Sequence, residues 1–203
     1  THHWSSNWMK GFELYLELDK KLSEPTLKNK IEFTYIGNVD KKYKFSYTNI
    51  LQPLSGLELA EEIKDHDIYI TGCLNEPSGN HHIEAALCGL PILYFNSGGI
   101  PEYCEGFGVS YNNLDEFEDK LKIVISEKEK YINNLESYQF DSENMNKEYL
   151  ELFESLVIKK KENLKNLNTP KKTFYLFRFK IRKLTRNFSQ VNLRIRIKKL
   201  LKI

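Results

Sequence analysis

Glu76 and Glu84 are separated by seven residues in the run Asn75-Glu76-Pro77-Ser78-Gly79-Asn80-His81-His82-Ile83-Glu84-Ala85-Ala86-Leu87-Cys88-Gly89-Leu90-Pro91. A carboxylate accepts two hydrogen bonds at once, which suits a vicinal diol such as that of a ribose. Gly79 lets backbone approach a ligand closely where a helix begins. Two glutamates at this spacing are common as solvated side chains, so the weight of the motif comes from its neighbours. His81-His82 ahead of Glu84 invites a metal reading. Adjacent residues on a helix do not face one another, however, and no third ligand has a matching spacing. A sugar-hydroxyl contact suits one of these histidines better. His2-His3 either line a crevice at a strand end or belong to a loop.

The elements that must position these residues follow from periodicity. Strands are expected at Ile31–Ile36, Thr48–Leu51, Asp67–Thr71, Pro91–Phe95 and Phe107–Tyr111, several of them ended by Gly or Pro signals. Apolar residues at 8, 12, 15, 16 and 22 predict a helix over Trp8–Leu22. Ser55 with Glu58 three positions on reads as a capping box opening a helix to about Asp65. Further helices are expected at His81–Cys88, Leu114–Glu127 and Lys128–Ser137. A last one starts at Asp141 or Ser142 and carries Met145, Tyr149, Leu152, Phe153 and Leu156 on one face. Alternating strands and helices of this length argue for an α/β fold with a parallel sheet. Such sheets bind ligands beyond the carboxyl ends of their strands, where the segments 72–80 and 96–101 both fall.

Composition bounds the rest. The 203 residues carry a formal net charge of +2, 40% hydrophobic and 29% charged residues, which excludes wholesale disorder. No apolar run approaches the roughly 18 residues of a membrane span. Three cysteines, Cys73, Cys88 and Cys104, fit a reducing cytosolic setting rather than a disulfide scaffold. With Thr at position 1 and no signal-peptide pattern, the sequence reads as a piece of a longer chain. The near-neutral total hides a division: residues 1–158 hold 14 Lys and Arg against 27 Asp and Glu, and residues 159–203 hold 16 against 1. An acidic globule over 1–158 and a basic extension over 159–203 are therefore expected as separate domains.

The pattern Glu76-x7-Glu84 with Ala85, Cys88-Gly89 and Pro91 resembles the signature of retaining glycosyltransferases of the group-1 (family four) type, whose fold is the two-lobed GT-B. Lys10-Gly11, Gly37 after a strand, and Ser97-Gly98-Gly99-Ile100-Pro101-Glu102 match that family in the same order. The resemblance covers about residues 1–158 and implies the second, nucleotide-sugar-binding lobe, a Rossmann-like parallel sheet with helices on both faces. The first lobe, which carries most of the acceptor site, would be supplied elsewhere. The implied roles are specific. Glu84 holds the ribose hydroxyls and Glu76 the donor sugar. Lys10 neutralises the diphosphate, and the amides of Gly98 and Gly99 beside Ser97 face the same phosphates. Gly37 forms the turn after its strand, and Gln52-Pro53-Leu54 border the base. Glu102, His82 and Asn7 are further candidates. The resemblance implies no cofactor beyond the nucleoside diphosphate-sugar donor and no metal of the Asp-x-Asp kind. One departure stands out: the family carries an Arg shortly before its Lys-Gly, whereas Ser5-Ser6-Asn7-Trp8-Met9 precede Lys10, leaving neutral donors such as Ser6 or Asn7 in its place.

In the extension, Phe174, Phe177, Ile181, Leu184, Phe188, Val191 and Ile195 recur at alternating steps of three and four among Arg178, Lys180, Arg182, Lys183, Arg186, Arg194, Arg196 and Lys198. This is the pattern of a basic amphipathic helix on an anionic membrane surface through 171–203. Docking on the acidic globule or on the other lobe, nucleic acid (disfavoured, with no motif beyond charge) and a disordered tail are the rivals. Together these features point to sugar transfer to a glycan or lipid-linked acceptor in surface polysaccharide synthesis, at the cytoplasmic face of a membrane. The alternative is a non-catalytic nucleotide-sugar-binding module completed by a partner chain.

Overall fold

The computed structural model describes residues 1–165, with side chains through Lys160. The basic amphipathic helix expected over 171–203 lies outside the described residues. Six short strands, β1 (His2–His3), β2 (Thr34–Gly37), β3 (Asn49–Leu51), β4 (Tyr69–Thr71), β5 (Ile92–Phe95) and β6 (Gly108–Tyr111), are all parallel to their neighbours. They alternate with helices α1 (Phe12–Lys21), α2 (Gly56–Lys64), α3 (Asn80–Leu87), α4 (Ile100–Cys104) and α5 (Leu114–Ser126), followed by α6 (Lys128–Leu135) and α7 (Ser142–Lys165).

Two three-stranded ladders form, β1-β2-β3 and β4-β5-β6. They adjoin at β1 and β4 through side chains: the Tyr69 hydroxyl accepts the His2 amide at 3.0 Å, taking the donor that a ladder would have used. The apolar strand residues alternate between two cores, as the period-two pleat requires. Tyr35, Ile70, Leu93, Val109 and Tyr111 pack with Phe12, Leu14, Tyr15 and Leu18 of α1 and Phe117, Leu121 and Val124 of α5. Ile36, Tyr69, Ile92 and Tyr94 pack with Leu59 and Ile63 of α2, Ala85 and Ala86 of α3, and Ile100 and Cys104 of α4. Both faces are thus covered by helices, which is the Rossmann-like arrangement.

Three local expectations differ. The helix expected over Trp8–Leu22 is a 3₁₀ turn at Trp8–Lys10 and then α1, broken at Gly11, whose φ is +85°. Ser55 occupies the N-cap position of α2 without a side-chain cap bond, so the expected capping box does not close. The boundary expected between 158 and 159 falls within α7; by contacts the chain divides into residues 1–144 and 145–203. In the second unit the α7 residues Met145, Tyr149, Leu152, Phe153 and Leu156 are all about half exposed. Among the described residues no helix is long and apolar enough to cross a membrane.

Asp19, buried on α1, holds the entrance to β3. Its carboxylate accepts from the Ser46, Tyr47 and Thr48 amides at 2.9, 2.9 and 2.7 Å and from the Thr48 hydroxyl at 2.6 Å. Burial alone would raise its pKa; the Thr48 hydroxyl and the three amides outweigh burial and hold it below the ordinary value. Asp19→Ala strips four donors of their acceptor and should cost about 2–3 kcal/mol in urea unfolding, with Asp19→Asn in between.

Candidate functional site

Local backbone interactions place Lys10 beside Glu76. Asn7 caps the 3₁₀ turn, its side chain accepting from the Met9 amide at 3.0 Å. Gly11 then packs against the end of β4: a Cβ there would stand 2.4 Å from the Gly72 carbonyl oxygen. The Met9 carbonyl accepts from the Leu74 amide at 2.8 Å. The loop after β4 is therefore fastened to the chain that carries Lys10, and the Lys10 ammonium pairs with Glu76 Oε2, both side chains being mostly buried.

The loop after β5 closes over the same carboxylate-bearing residue. The Asn75 amide donates to Ser97 Oγ at 2.9 Å, and the Gly99 amide donates to the Glu76 carbonyl at 2.7 Å. Gly98 has φ +63°, and a Cβ on it would lie 2.4 Å from that carbonyl, so only glycine fits. This corrects part of the expected phosphate cradle. The Gly99 amide is committed to a loop-to-loop bond, and of the two glycine amides only that of Gly98 makes no hydrogen bond among the described residues. Ser97 Oγ accepts from Asn75, which leaves its hydroxyl proton as a donor. Asn7 uses its side-chain oxygen on the turn, which leaves its side-chain NH2 group as the donor. Glu102 is exposed in the first turn of α4, and its carboxylate makes no hydrogen bond among the described residues.

Gly79 is the N-cap of α3, where a Cβ would come within 2.9 Å of Glu76 Cγ. One turn on, His82 is fully buried and neither ring nitrogen has a hydrogen-bond partner. Burial pushes its pKa down to about 4, with Glu76 opposing and Lys10 adding to the shift. Its ring lies 5.3 Å from that of Tyr103, centroid to centroid.

Glu84, half exposed on α3, gives Oε2 to His2 Nε2 at 2.7 Å, and this bond holds the Glu84 pKa below its ordinary value. His2 also lines a shallow, open recess with His3, Trp4, Ile36, Gly37, Pro53 and Leu54. The structure therefore groups the expected residues in two places. Lys10, Glu76, Gly79, His82 and Gly98 surround one point, while Gly37, Pro53 and Leu54 border another, and His2 connects the second to Glu84.

Sequence reasoning missed a third feature. Donor atoms of His3, Cys73 and His81 lie within 4.8 Å of one another, all buried. His3 Nε2 lies 2.9 Å from the Tyr15 hydroxyl and His81 Nε2 lies 2.9 Å from the Thr71 hydroxyl. These three residues offer nitrogen and sulfur donors that suit a borderline-soft metal ion, although the hydroxyls already engage a nitrogen of each ring. Burial, with neighbouring positive charge adding to it, keeps both imidazoles well below their ordinary pKa, and burial raises the Cys73 thiol to about 11. No sequence signal marks this cluster beyond the residue types, because His3 lies seventy positions before Cys73 and further still before His81. The chain does contain an Asp-x-Asp, Asp65-His66-Asp67. It precedes β4, at the opposite strand end from Glu76, and Asp67 pairs with Lys128.

Solved structures with this fold include sucrose-phosphate synthase from Thermosynechococcus elongatus, at 13% identity and a TM-score of 0.59, covering 77% of this chain and 45% of that one. Anabaena Alr3699/HepE in complex with UDP-glucose aligns at 18% identity and a TM-score of 0.60, covering 76% of this chain and 48% of its own. WaaG, a glycosyltransferase involved in lipopolysaccharide biosynthesis, aligns at 15% identity and a TM-score of 0.55, covering 66% and 40%. The chain thus spans less than half the length of each. No curated protein matches it. The family described as Glycosyl transferases group 1 matches residues 5–139, a segment that holds Lys10, both glutamates and the glycine turn. The fold is one lobe of the GT-B architecture, and the chain belongs to the group 1 glycosyl transferase family.

Proposed function

We propose that this lobe binds the nucleoside diphosphate-sugar donor of a retaining glycosyltransferase, and that Lys10 and Glu76 act at the bond being broken. The observation that supports it most is the convergence of Lys10, Glu76 and the Gly98 amide from three strand ends. Breaking the glycosidic bond places negative charge on the leaving diphosphate. A fixed ammonium and an unbonded backbone amide aimed there stabilise the transition state more than the ground state. Glu76 then accepts from the donor sugar, His82 offers a nitrogen to one of its hydroxyls, and Glu84 receives the ribose hydroxyls. The recess bordered by Trp4, Gly37, Pro53 and Leu54 takes the base. The solved complex of Alr3699/HepE with UDP-glucose supports a nucleotide-sugar donor as the ligand class.

The acceptor site belongs to the other lobe of the GT-B pair, and the acceptor is a glycan or lipid-linked glycan of a surface polysaccharide. The basic extension would hold the enzyme on the inner face of the membrane. Sedimentation of the 203-residue chain with anionic vesicles at low salt checks that placement; failure to pellet removes it.

Calorimetric titration of the 203-residue chain with UDP, GDP, ADP and their glucose conjugates tests the donor site. One nucleotide series should bind, and Glu84→Ala should weaken it about 10-fold through loss of a charge-assisted hydrogen bond. Binding indifferent to Glu84→Ala overturns the assignment of the ribose carboxylate.

A further inference from the structure

Glu84 is a half-exposed side chain on a helix, free by itself to sample several rotamers. One of its oxygens is nevertheless fixed, by a residue eighty-two positions earlier in the chain. The hydrogen-bond polarity of that contact can be followed outward from the core. The Tyr69 hydroxyl accepts from the His2 amide at 3.0 Å, so its own proton must go elsewhere. His2 Nδ1 lies 3.1 Å away and the His2 carbonyl 3.5 Å. A Glu84 carboxylate can only accept, so Nε2 carries a proton, and in the neutral ring Nδ1 is left to accept from Tyr69. A neutral imidazole accepting at Nδ1 carries its proton on Nε2. That proton points at Glu84 Oε2, 2.7 Å away. Tyr69 and His2 are both buried, so water does not compete for the bonds between them.

We propose that His2 is a positioning residue for ribose recognition: Tyr69 fixes its tautomer, and its Nε2–H holds Glu84 Oε2 so that Oε1 faces the two ribose hydroxyls. The inference rests on the reading of Glu84 as the ribose carboxylate. His2 has a second reason to matter there, because its ring also walls the recess assigned to the base. The ribose carboxylate and the base recess are therefore set relative to each other by one side chain. Ordering a free glutamate during binding costs about the entropy of one flexible side chain, worth about 3- to 10-fold in affinity, and His2 removes that cost from the binding step.

The test is calorimetric titration of the 203-residue chain with UDP, GDP and ADP, then with the 2′,3′-dideoxy form of the tightest binder. His2→Phe should weaken the ribonucleotide about 3- to 10-fold and leave the dideoxy form unchanged. His2→Gln, which keeps a donor at the ε position, should restore the ribonucleotide. Tyr69→Phe is nearly isosteric and frees the tautomer, so it should give a partial loss of the same selectivity; near-ultraviolet dichroism checks that each variant is folded. Equal weakening of both nucleotides by His2→Phe, no weakening at all, or failure of His2→Gln to rescue overturns the proposal. If Glu84→Ala abolishes the preference for ribose while His2→Phe keeps it, only the positioning role falls. If the preference survives Glu84→Ala, or none of the three nucleotides binds, the donor-site reading falls and takes this inference with it.

Discussion

Lys10→Met should weaken nucleoside diphosphate binding by about 10- to 100-fold while leaving the parent nucleoside unaffected, the size expected for one charge-assisted hydrogen bond. The split between nucleoside and diphosphate matters because Lys10 sits in the mostly buried pair with Glu76. A general collapse of the site would lower both affinities, whereas loss of the ammonium alone lowers only the anionic ligand. The pairing makes a second outcome predictable. In the unliganded chain Glu76 occupies the ammonium that the diphosphate needs, so donor binding exchanges one anionic partner for another. Glu76→Gln removes the competing charge. Affinity for the bare diphosphate should hold or rise, while the gain that the sugar adds to affinity should shrink. A Glu76→Gln variant that loses bare diphosphate as completely as Lys10→Met would mean that Glu76, not the donor, is the reason Lys10 is there.

Lowering the pH from 8 to 5 should destabilise the fold by about 2 kcal/mol through His82 alone, with His3 and His81 adding in the same direction, read as the shift in urea midpoint multiplied by the denaturant slope. The cause is the group of buried histidines. Burial holds His82 down to about 4 from 6.5 and places His3 and His81 well below that ordinary value. Between the unfolded and folded values the unfolded chain binds a proton that the folded chain refuses. Stability is thus complete above about pH 6.5 and falls as pH falls, by about 1.4 kcal/mol per histidine for each unit. His82 across roughly one and a half units gives about 2 kcal/mol, and His3 and His81 add to it in the same direction. A typical domain is stable by about 5–15 kcal/mol, so the His82 contribution alone is a sizeable part of the total. His82→Leu should flatten the pH dependence by about 2 kcal/mol. A midpoint that stays constant from pH 8 to 5 would contradict the neutral, desolvated state of all three rings.

What the sequence revealed and what it hid divide along chain distance. The five strands from β2 to β6 and helices α2, α3, α5 and α6 were legible because apolar periodicity is a local property. So was the placing of Glu76, Gly79 and Glu84 in one loop and the helix that follows it. The start of α1 was misread because apolar residues keep a helical spacing through Trp8 and Phe12, while Gly11 in the left-handed region interrupts the backbone between them. The five-residue α4 is too short to show a period. Contacts between distant segments left no local trace. Nothing at positions 2 and 69 announces that they would orient Glu84, and nothing in the spacing of His3, Cys73 and His81 announces that they meet. The bonds that remove the Gly99 amide from the phosphate cradle are of the same kind, since they depend on where the loop after β5 lies against the loop after β4.

The stitching of those two loops, through Ser97 to Asn75 and through Gly99 to Glu76, has an evolutionary corollary. A lineage drifting toward a different carbohydrate cannot remodel either segment alone, because a changed backbone path in one deprives the other of its anchor. Swapping selectivity by grafting should therefore succeed only when residues 72–80 and 96–101 are transplanted as a single cassette.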